Sequence, residues 1–367
     1  MAAVEAELLA SLGEICASVL EPNAQEVDRA SDPPLENLRL LAQAGLVAVT
    51  TPAEWGGSAC SGAFMREYTE LMTAACGTTW FVLTQHLGAC ASVAGSANPR
   101  LREVYLKQMA RGEHWVGVGF GHLRRPEPLL RAQPVDGGYL LTGVAPWVTG
   151  WPILSGVIFG AVLPDQRYIY LYADAAEGPA LRSSPPLPIC AMNASATTEV
   201  HLDGLFVPEE NWVRFSTRED MARGDLNGIA GAVAPPLGCA RGSHKILETA
   251  ASKRGGLAAR QAAMSLAAEI DACRVEAYLW ADGPKDRPDY KENALRARAA
   301  AITLGVRAAH SAVAASGGGA NARTHPAQRL FREAMFYTLT AQTEDTMAAT
   351  LQALEAPIHP SPSPNRS

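Results

Sequence analysis

The sequence predicts an α+β protein with an N-terminal helical domain, a middle antiparallel β-domain and a C-terminal four-helix bundle. Three observations predict this order. Apolar residues recur every three to four positions before residue 113, and they alternate or form short runs from there to about residue 222. The helical spacing then returns as far as residue 355. We therefore place domains at 1–112, 113–222 and 223–355, and interpret the Pro/Ser-rich residues 356–367 as a disordered tail.

The N-terminal domain is predicted from five amphipathic stretches, which are AELLASLGEICASVLE, LENLRLLAQAG, GAFMREYTELMTAAC, TTWFVLTQHLGACASVAGS and PRLREVYLKQMARG. Gly45, the pair Gly56-Gly57 and Gly112 separate these stretches, as glycines do at helix ends and turns.

The middle domain is predicted from short apolar runs, which are HWVGVGFG, GYLLTGV, LSGVIFGAV, RYIYLYA and TTEVHLDGLFV. In an extended strand, Trp147 and Thr149 point to the same side because side chains alternate. A flat indole beside a hydroxyl suits a planar heterocycle with polar edges. The alternative is a half-buried strand that contributes a core tryptophan.

The C-terminal bundle is predicted from four long Ala-rich segments, which begin near residues 226, 260, 290 and 326. Alanine and leucine favour helices, and small alanine side chains allow the helices to pack closely.

Composition excludes several classes of protein. The net charge is −6 and no basic run stands out, which argues against a nucleic-acid or anionic-membrane surface. Seven scattered cysteines without a Cys-x-x-Cys pair predict a reducing, cytoplasmic location with neither disulfides nor a metal site. The acidic N-terminus does not resemble a signal peptide, and no apolar run reaches 18 residues.

Four segments in the same order carry a resemblance to a known family: GLVAVTTPAEWGG (45–57), GGYLLTGVAPWVTG (137–150), MNASATTEVHLDGLFVPEENWV (192–213) and ASGGGANARTHPAQRLFREA (315–334). Together they resemble the acyl-CoA dehydrogenase superfamily of flavoproteins over nearly the whole chain. The chain resembles a divergent member of this superfamily, similar to its flavin-dependent monooxygenase branch.

The resemblance implies a flavin, FAD by preference, with FMN or a diffusible reduced flavin as alternatives. It implies that Trp147 covers the isoalloxazine ring, that Thr149 donates near flavin N5 and that Val148 faces the opposite side. The family's Thr-Glu-Pro loop is replaced by GFGHLRRPEP, where the backbone of Phe120 and Gly121 would meet flavin carbonyls.

Two further cofactor contacts follow from the resemblance. Thr343 matches a family threonine. The family's Arg-x-x-Phe-Gly becomes SKRGG at 252–256, where Lys253 or Arg254 would meet a pyrophosphate.

The family's catalytic glutamate is missing. Its usual position falls on Ala341, and the position used by some relatives falls near Gly228. A base is needed because the carbon alpha to a thioester is a weak acid. His86, His122 and Glu344 are the candidates, and the alternatives are two structural histidines and a solvated helix face.

Three functions remain open from the sequence. The first is oxidation of an acyl or hydroxyacyl thioester, on CoA or a carrier protein, with hydride transfer to flavin N5. The second is a two-component monooxygenase supplied with reduced flavin, and the third is a non-catalytic flavin-binding relative. The resemblance also implies a homodimer or homotetramer, with an electron-transfer partner or a flavin reductase.

Overall fold

The computed structural model describes residues 2–254 and 256–355, and the predicted tail at 356–367 lies outside these residues. The first part of the chain is helical, as predicted. Its helices are α1 (Ala3–Ile15), α2 (Glu21–Arg29), α3 (Leu35–Gln43), α4 (Gly62–Ala75), α5 (Gly77–Ala94), α6 (Pro99–Leu101) and α7 (Lys107–Ala110). Leu38, Leu41, Phe64, Tyr68 and Met72 are fully buried among these helices and form the centre of their core.

The middle of the chain forms one sheet of eight strands: β1 (Val116–Gly119), β2 (Leu130–Val135), β3 (Gly138–Val148), β4 (Gly156–Val162), β5 (Tyr168–Asp174), β6 (Leu181–Ser183), β7 (Thr198–Pro208) and β8 (Trp212–Ser216). The strand order is β6-β7-β3-β2-β4-β5-β8, and β1 pairs with β4.

The sheet is mixed, whereas the sequence predicts a purely antiparallel one. Strand β1 runs parallel to β4, with Val116 opposite Gly156, and β2 also pairs in parallel with β4. The remaining pairs are antiparallel. Hydrophobic alternation does not report strand direction, since parallel and antiparallel neighbours expose the same alternating faces.

The chain after residue 217 is again helical. Its helices are α8 (Arg218–Gly228), α9 (Ala234–Arg254), α10 (Leu257–Asp282), α11 (Tyr290–Ser316), α12 (Pro326–Leu339) and α13 (Glu344–Leu354). The fourth predicted helix is in fact two, α12 and α13. Ala341 takes a left-handed φ of 48° between them, and the Thr343 hydroxyl accepts from the Thr346 N–H to begin α13.

Charged side chains join the N-terminal helices to the bundle. The carboxylate of Glu70 on α4 is fully buried and accepts from Arg241 on α9 and from Arg274 on α10. Glu67 binds the same two arginines. Two carboxylates shared by two guanidiniums satisfy each buried charge, so this cluster fixes α4 against the bundle.

The described residues provide neither a membrane-spanning helix nor a metal-binding cluster. No helix among them is long and apolar enough to cross a bilayer. They hold no group of three or more His, Cys, Asp or Glu side chains placed to bind a metal ion.

Candidate functional site

The end of β3 presents an exposed indole. Trp147 is 57% exposed and takes a left-handed φ of 62°, which is rare for a large side chain. The register between β3 and β7 slips there, because Ala145 pairs with Val200 but Val148 pairs with Thr198. Three steps along β3 therefore match two along β7, and the extra residue bulges outward. The bulge turns the indole away from the sheet core.

The expected side-by-side placement of Trp147 and Thr149 is wrong, because the bulge breaks the strand's alternation. Thr149 is only 1% exposed, and its hydroxyl is hydrogen-bonded to the Thr197 hydroxyl at 2.9 Å. The Thr197 hydroxyl also bonds the Ser195 hydroxyl at 2.7 Å, so three buried hydroxyls form a chain. Val148 is fully buried in the sheet core.

The ends of β1 and β3 converge. A Cβ built on Gly119, the last residue of β1, would lie 3.3 Å from the Cβ of Ala145. Phe120 and Gly121 follow directly; the Phe120 ring packs edge-on against Tyr170, while the space above Gly121 is open. The backbone after β1 is therefore accessible beside the strand that carries Trp147.

His86 joins three elements through its ring. It is 1% exposed; its Nε2–H donates to the Met109 oxygen at 2.9 Å, and its Nδ1 accepts from the Val116 N–H at 3.2 Å. Burial lowers the pKa of His86 to about 4, so the ring is neutral near pH 7. Both nitrogens are engaged by α7 and β1, which leaves neither one for a substrate in this arrangement.

His122 is held in the same way. Its Nε2–H donates to the Gly160 oxygen at 2.9 Å, and its Nδ1 accepts from the Leu129 N–H at 3.2 Å. The ring is 3% exposed, and burial lowers the pKa of His122 to about 4. It ties the loop after β1 to the sheet.

The loop after β1 also reaches the bundle. Arg124 binds the Asp225 carboxylate on α8 through two nitrogens, at 2.7 and 2.9 Å. Asp225 in turn lines a cavity of about 500 Å³ between α8, α11 and α13, whose wall includes Thr343 and Glu344. The Arg124–Asp225 ion pair therefore joins the loop after β1 to the cavity that Thr343 and Glu344 line.

Of the three candidate bases, Glu344 is the one whose side chain is exposed. It lies in the first turn of α13, and its carboxylate has no hydrogen bond or ion pair within the described chain. Its neighbour Asp345 is paired with Lys291 at 2.8 Å. A free carboxylate on a cavity wall can accept a proton, whereas a paired one is held by its cation.

The turn that carries Ala341 is fastened by a buried cation. Arg298 on α11 is 3% exposed, and its Nη2 donates to the Thr340 oxygen at 2.6 Å and more weakly to the Ala341 oxygen at 3.4 Å. It has no carboxylate partner among the described residues, and burial lowers its pKa to about 10. The guanidinium thus caps the carboxyl end of α12.

A second cavity is cationic. It measures about 470 Å³, lies between α9 and the start of α12, and is lined by Lys245, Lys253 and His325. Lys245 is partly compensated by Glu21 at 3.1 Å. Arg254 ends α9, but its side chain lies outside the described part of the chain. Ammonium donors around a cavity are the chemistry that a phosphate requires.

Sequence reasoning missed three of these features. Ser195 and Thr197 lie in MNASATTEV, where the Ser-Ala-Thr spacing of two is a weak signal for shared orientation. Arg298 sits in an ordinary amphipathic helix, and nothing in LRARAAA distinguishes a buried arginine from its exposed neighbour Arg296. The pairing of Arg124 with Asp225 spans 101 positions and has no local signature.

Comparison with protein families gives one match. Residues 3–113 match the model of the acyl-CoA dehydrogenase N-terminal domain.

Three characterised relatives show how the similarity is distributed. The chain is 26% identical over 216 residues to a mitochondrial 2-methylacyl-CoA dehydrogenase of Solanum tuberosum, covering 55% of this chain and 51% of that enzyme. It is 24% identical over 346 residues to a short-chain acyl-CoA dehydrogenase of Clostridium acetobutylicum, covering 88% and 89%. It is 25% identical over 193 residues to a pigment production hydroxylase of a Rhodococcus species, covering 51% and 46%. Against the first and third relatives, the match therefore spans about half their length.

Solved structures share the fold over almost the full chain. Butyryl-CoA dehydrogenase from Megasphaera elsdenii superposes with a TM-score of 0.82 at 18% identity, covering 96% of this chain and 98% of that one. A glutaryl-CoA dehydrogenase from Mycobacterium smegmatis in complex with FADH2 superposes with a TM-score of 0.84 at 14% identity, covering 97% of this chain and 95% of that one. The three-part architecture predicted from the sequence is thus confirmed as that fold.

Proposed function

Because residues 3–113 match the acyl-CoA dehydrogenase N-terminal domain and the chain aligns with a short-chain acyl-CoA dehydrogenase over 88% of its length, we propose that it is an FAD-dependent oxidoreductase that oxidises an acyl or hydroxyacyl thioester on CoA or a carrier protein. The observation that carries the proposal is the exposed indole of Trp147, which a strained left-handed backbone holds outward. Such strain persists only where the surrounding structure imposes it, and it is concentrated at functional sites.

The residues around the indole fit a planar ring with polar edges. Trp147 supplies a flat apolar face, and the backbone beside Gly121 is open to a ring edge. Thr149 fits less directly, because its hydroxyl is buried and bonded to the Thr197 hydroxyl. To meet a ring nitrogen, the side chain would have to rotate or the residues that bury it would have to move. When bound, a flavin supplies the hydride acceptor, and the protein supplies orientation and proton transfer.

We assign proton removal to Glu344. Ala341 carries no acid, and both rings of His86 and His122 are committed to backbone groups. Glu344 keeps a free carboxylate on the cavity that Thr343 shares. Proton transfer from an alcohol at a hydroxyacyl thioester demands a weaker base than removal from carbon, which favours that substrate class.

The cationic cavity supports FAD over FMN. Lys245 and Lys253 would neutralise a diphosphate, which FAD contains and FMN does not. The resemblance also favours a homo-oligomer, in which a second copy of the chain would contribute to the cofactor site. An electron-transfer partner would reoxidise the cofactor.

The test begins with the visible spectrum of the purified protein and identification of any flavin released on denaturation. Anaerobic titration with a panel of acyl- and hydroxyacyl-CoA thioesters should then bleach the flavin band. A protein that binds neither oxidised nor reduced flavin would refute the proposed cofactor. A flavin that stays oxidised across the panel would refute the proposed reaction.

Two observations favour a reduced-flavin monooxygenase as the second candidate. Ala341 removes the acid that a dehydrogenase needs and a monooxygenase does not, and the hydroxylase of Rhodococcus is among the relatives. This function predicts a colourless protein that binds reduced flavin more tightly than oxidised flavin. Its partner would be a flavin reductase.

A further inference from the structure

The buried hydroxyls of Thr149, Thr197 and Ser195 carry one more proton than they can share among themselves. The Thr197 oxygen lies in the middle, 2.9 Å from the Thr149 hydroxyl and 2.7 Å from the Ser195 hydroxyl. Each side chain is at most 1% exposed, and within the described chain none of the three hydroxyls has another hydrogen-bond partner. Three O–H groups thus share two hydrogen bonds. A buried O–H without an acceptor is costly, so a ligand atom that accepts a hydrogen bond would complete the chain of hydroxyls.

The Thr149 end of this hydroxyl chain is the end that adjoins the exposed indole. Thr149 follows Trp147 by two residues, and that indole is 57% exposed. Ser195, at the other end, lies in a loop in which Met192 and Ala196 are at most 1% exposed. A ligand ring that stacks on the indole therefore brings its edge to Thr149 and not to Ser195.

The backbone around the hydroxyl chain is strained on both sides. Met192 and Ala196 take left-handed φ values of 61° and 46° on either side of Ser195, although neither is glycine. Trp147, at the end of β3, carries the same strain. The Gly150 N–H donates to the main-chain oxygen of Ser195 at 2.8 Å and ties the two segments together. Strain of this kind is retained where the surrounding structure imposes it, and it is concentrated at functional sites.

We propose that Thr197 and Ser195 are positioning residues that direct the proton of Thr149 to a hydrogen-bond acceptor on the edge of the bound ring. The inference rests on the proposed function, which supplies a flavin as that ring. Ser195 donates to Thr197, Thr197 donates to Thr149, and Thr149 donates to the ring, so every proton has an acceptor. Only hydrogens turn, while the 2.9 Å contact between Thr149 and Thr197 is kept. Bonds that run in one direction polarise one another, which strengthens the last donor.

A hydroxyl chain of this polarity distinguishes ligand atoms by their hydrogen-bonding character. A ring nitrogen with a lone pair completes the chain. A ring N–H reverses it, because Thr149 must then accept, and the proton left without an acceptor is that of Ser195 in its buried loop. Flavin N5 is an acceptor in the oxidised ring and carries the transferred hydride in the reduced ring. The hydroxyl chain therefore favours the oxidised flavin from which thioester oxidation starts, over the reduced flavin that a monooxygenase takes up.

Two flavins of the same shape test the inference in the native full-length protein. In 5-deaza-FAD a C–H group replaces N5, so the ring has no acceptor at that position. The dissociation constant of 5-deaza-FAD should exceed that of FAD at least about fivefold, because its binding leaves one buried O–H unsatisfied. Equilibrium dialysis measures both constants. Equal constants would overturn the inference and leave FAD as the cofactor, whereas a protein that binds neither flavin would overturn both.

Three variants test the positioning role. Thr197→Val removes the bond that holds the Thr149 hydroxyl, so the preference for FAD should fall below about twofold, and Thr197→Ser should retain it. Thr198→Val is the matched control, because Thr198 is equally buried but its hydroxyl bonds to Ser184, and it should keep the native ratio of the two constants. General damage to the fold weakens both flavins alike and leaves the ratio unchanged. A native ratio in Thr197→Val would therefore overturn the positioning role of Thr197.

Discussion

Arg298 and Thr340 are joined by a 2.6 Å hydrogen bond from a buried guanidinium to a main-chain oxygen at the end of α12. The bond holds the turn in which Ala341 adopts its left-handed conformation and from which Thr343 starts α13. A buried cation without a carboxylate is costly, and here the dipole at the end of α12 and two carbonyls offset that cost. The Arg298 guanidinium therefore fixes the turn at which the resemblance places the catalytic acid of the family.

Ala341→Glu should place a carboxylate on this fixed turn. If the chain binds acyl thioesters beside a flavin, a base there should increase the rate of anaerobic flavin reduction by about 100-fold, the usual contribution of general base catalysis. Stopped-flow absorbance would measure the rate. Ala341→Gln has the same size and the same backbone strain without the charge, and should leave the rate unchanged. Equal rates in the two variants would show that position 341 does not face the reacting carbon.

Glu344→Gln should reduce any turnover that requires proton removal by about 100-fold, since the free carboxylate on the cavity wall is lost. Asp345→Asn is the matched control, because Asp345 lines the same cavity but is held by Lys291. The measurement is the pH profile of turnover. If the control variant loses activity and Glu344→Gln keeps it, the assignment of the base is wrong.

Trp147→Gly should weaken flavin binding while leaving the stability of the fold nearly unchanged. Glycine tolerates the left-handed backbone at position 147, and the indole is exposed, so the free energy of unfolding should stay within about 1 kcal/mol of the native value. Flavin affinity should fall about fivefold, because a stacked aromatic face contributes about 1 kcal/mol. Trp147→Phe should retain most of the affinity. Unchanged flavin binding in Trp147→Gly would remove Trp147 from the site.

Thr197→Val should destabilise the protein through the hydroxyl chain. It leaves the buried hydroxyls of Thr149 and Ser195 without their partner, at about 1–3 kcal/mol for each group. Chemical denaturation would measure the loss. Thr197→Ser keeps the central hydroxyl and should retain most of the stability. Equal stability of the valine and serine variants would show that the three bonded hydroxyls do not stabilise the protein.

The two buried histidines should make the fold acid-labile. Their pKa values fall from 6.5 to about 4 on folding, so between these values the unfolded chain binds more protons than the native one. Stability is therefore complete above about pH 6.5 and decreases as pH falls towards 4, by about 3 kcal/mol for each ring. His86→Gln and His122→Gln should each flatten this dependence in pH-dependent denaturation. The exposed His310→Gln should not, and a parallel loss in that control would assign the effect elsewhere.

Local pattern alone determined the three-part order of the chain. A helical period in residues 3–112, alternation through the middle and long Ala-rich stretches at the end depend only on which side chains avoid water, and the structure confirms them. The strand end at Trp147 stood out from the residues themselves, whereas the missing acid at Ala341 followed only from the resemblance to the acyl-CoA dehydrogenase superfamily.

Tertiary structure alone decided what those residues can do. The bulge that exposes Trp147 and buries Thr149 exists because the register between β3 and β7 shifts there, and the paired residues are about 50 positions apart in the sequence. Both candidate histidines are held in place by hydrogen bonds to backbone N–H and carbonyl groups that are distant in the sequence. Glu344 and Asp225 share a cavity only because α8 folds against α13. A hydrogen bond or a cavity is a property of positions in space, and a one-dimensional pattern does not contain those positions.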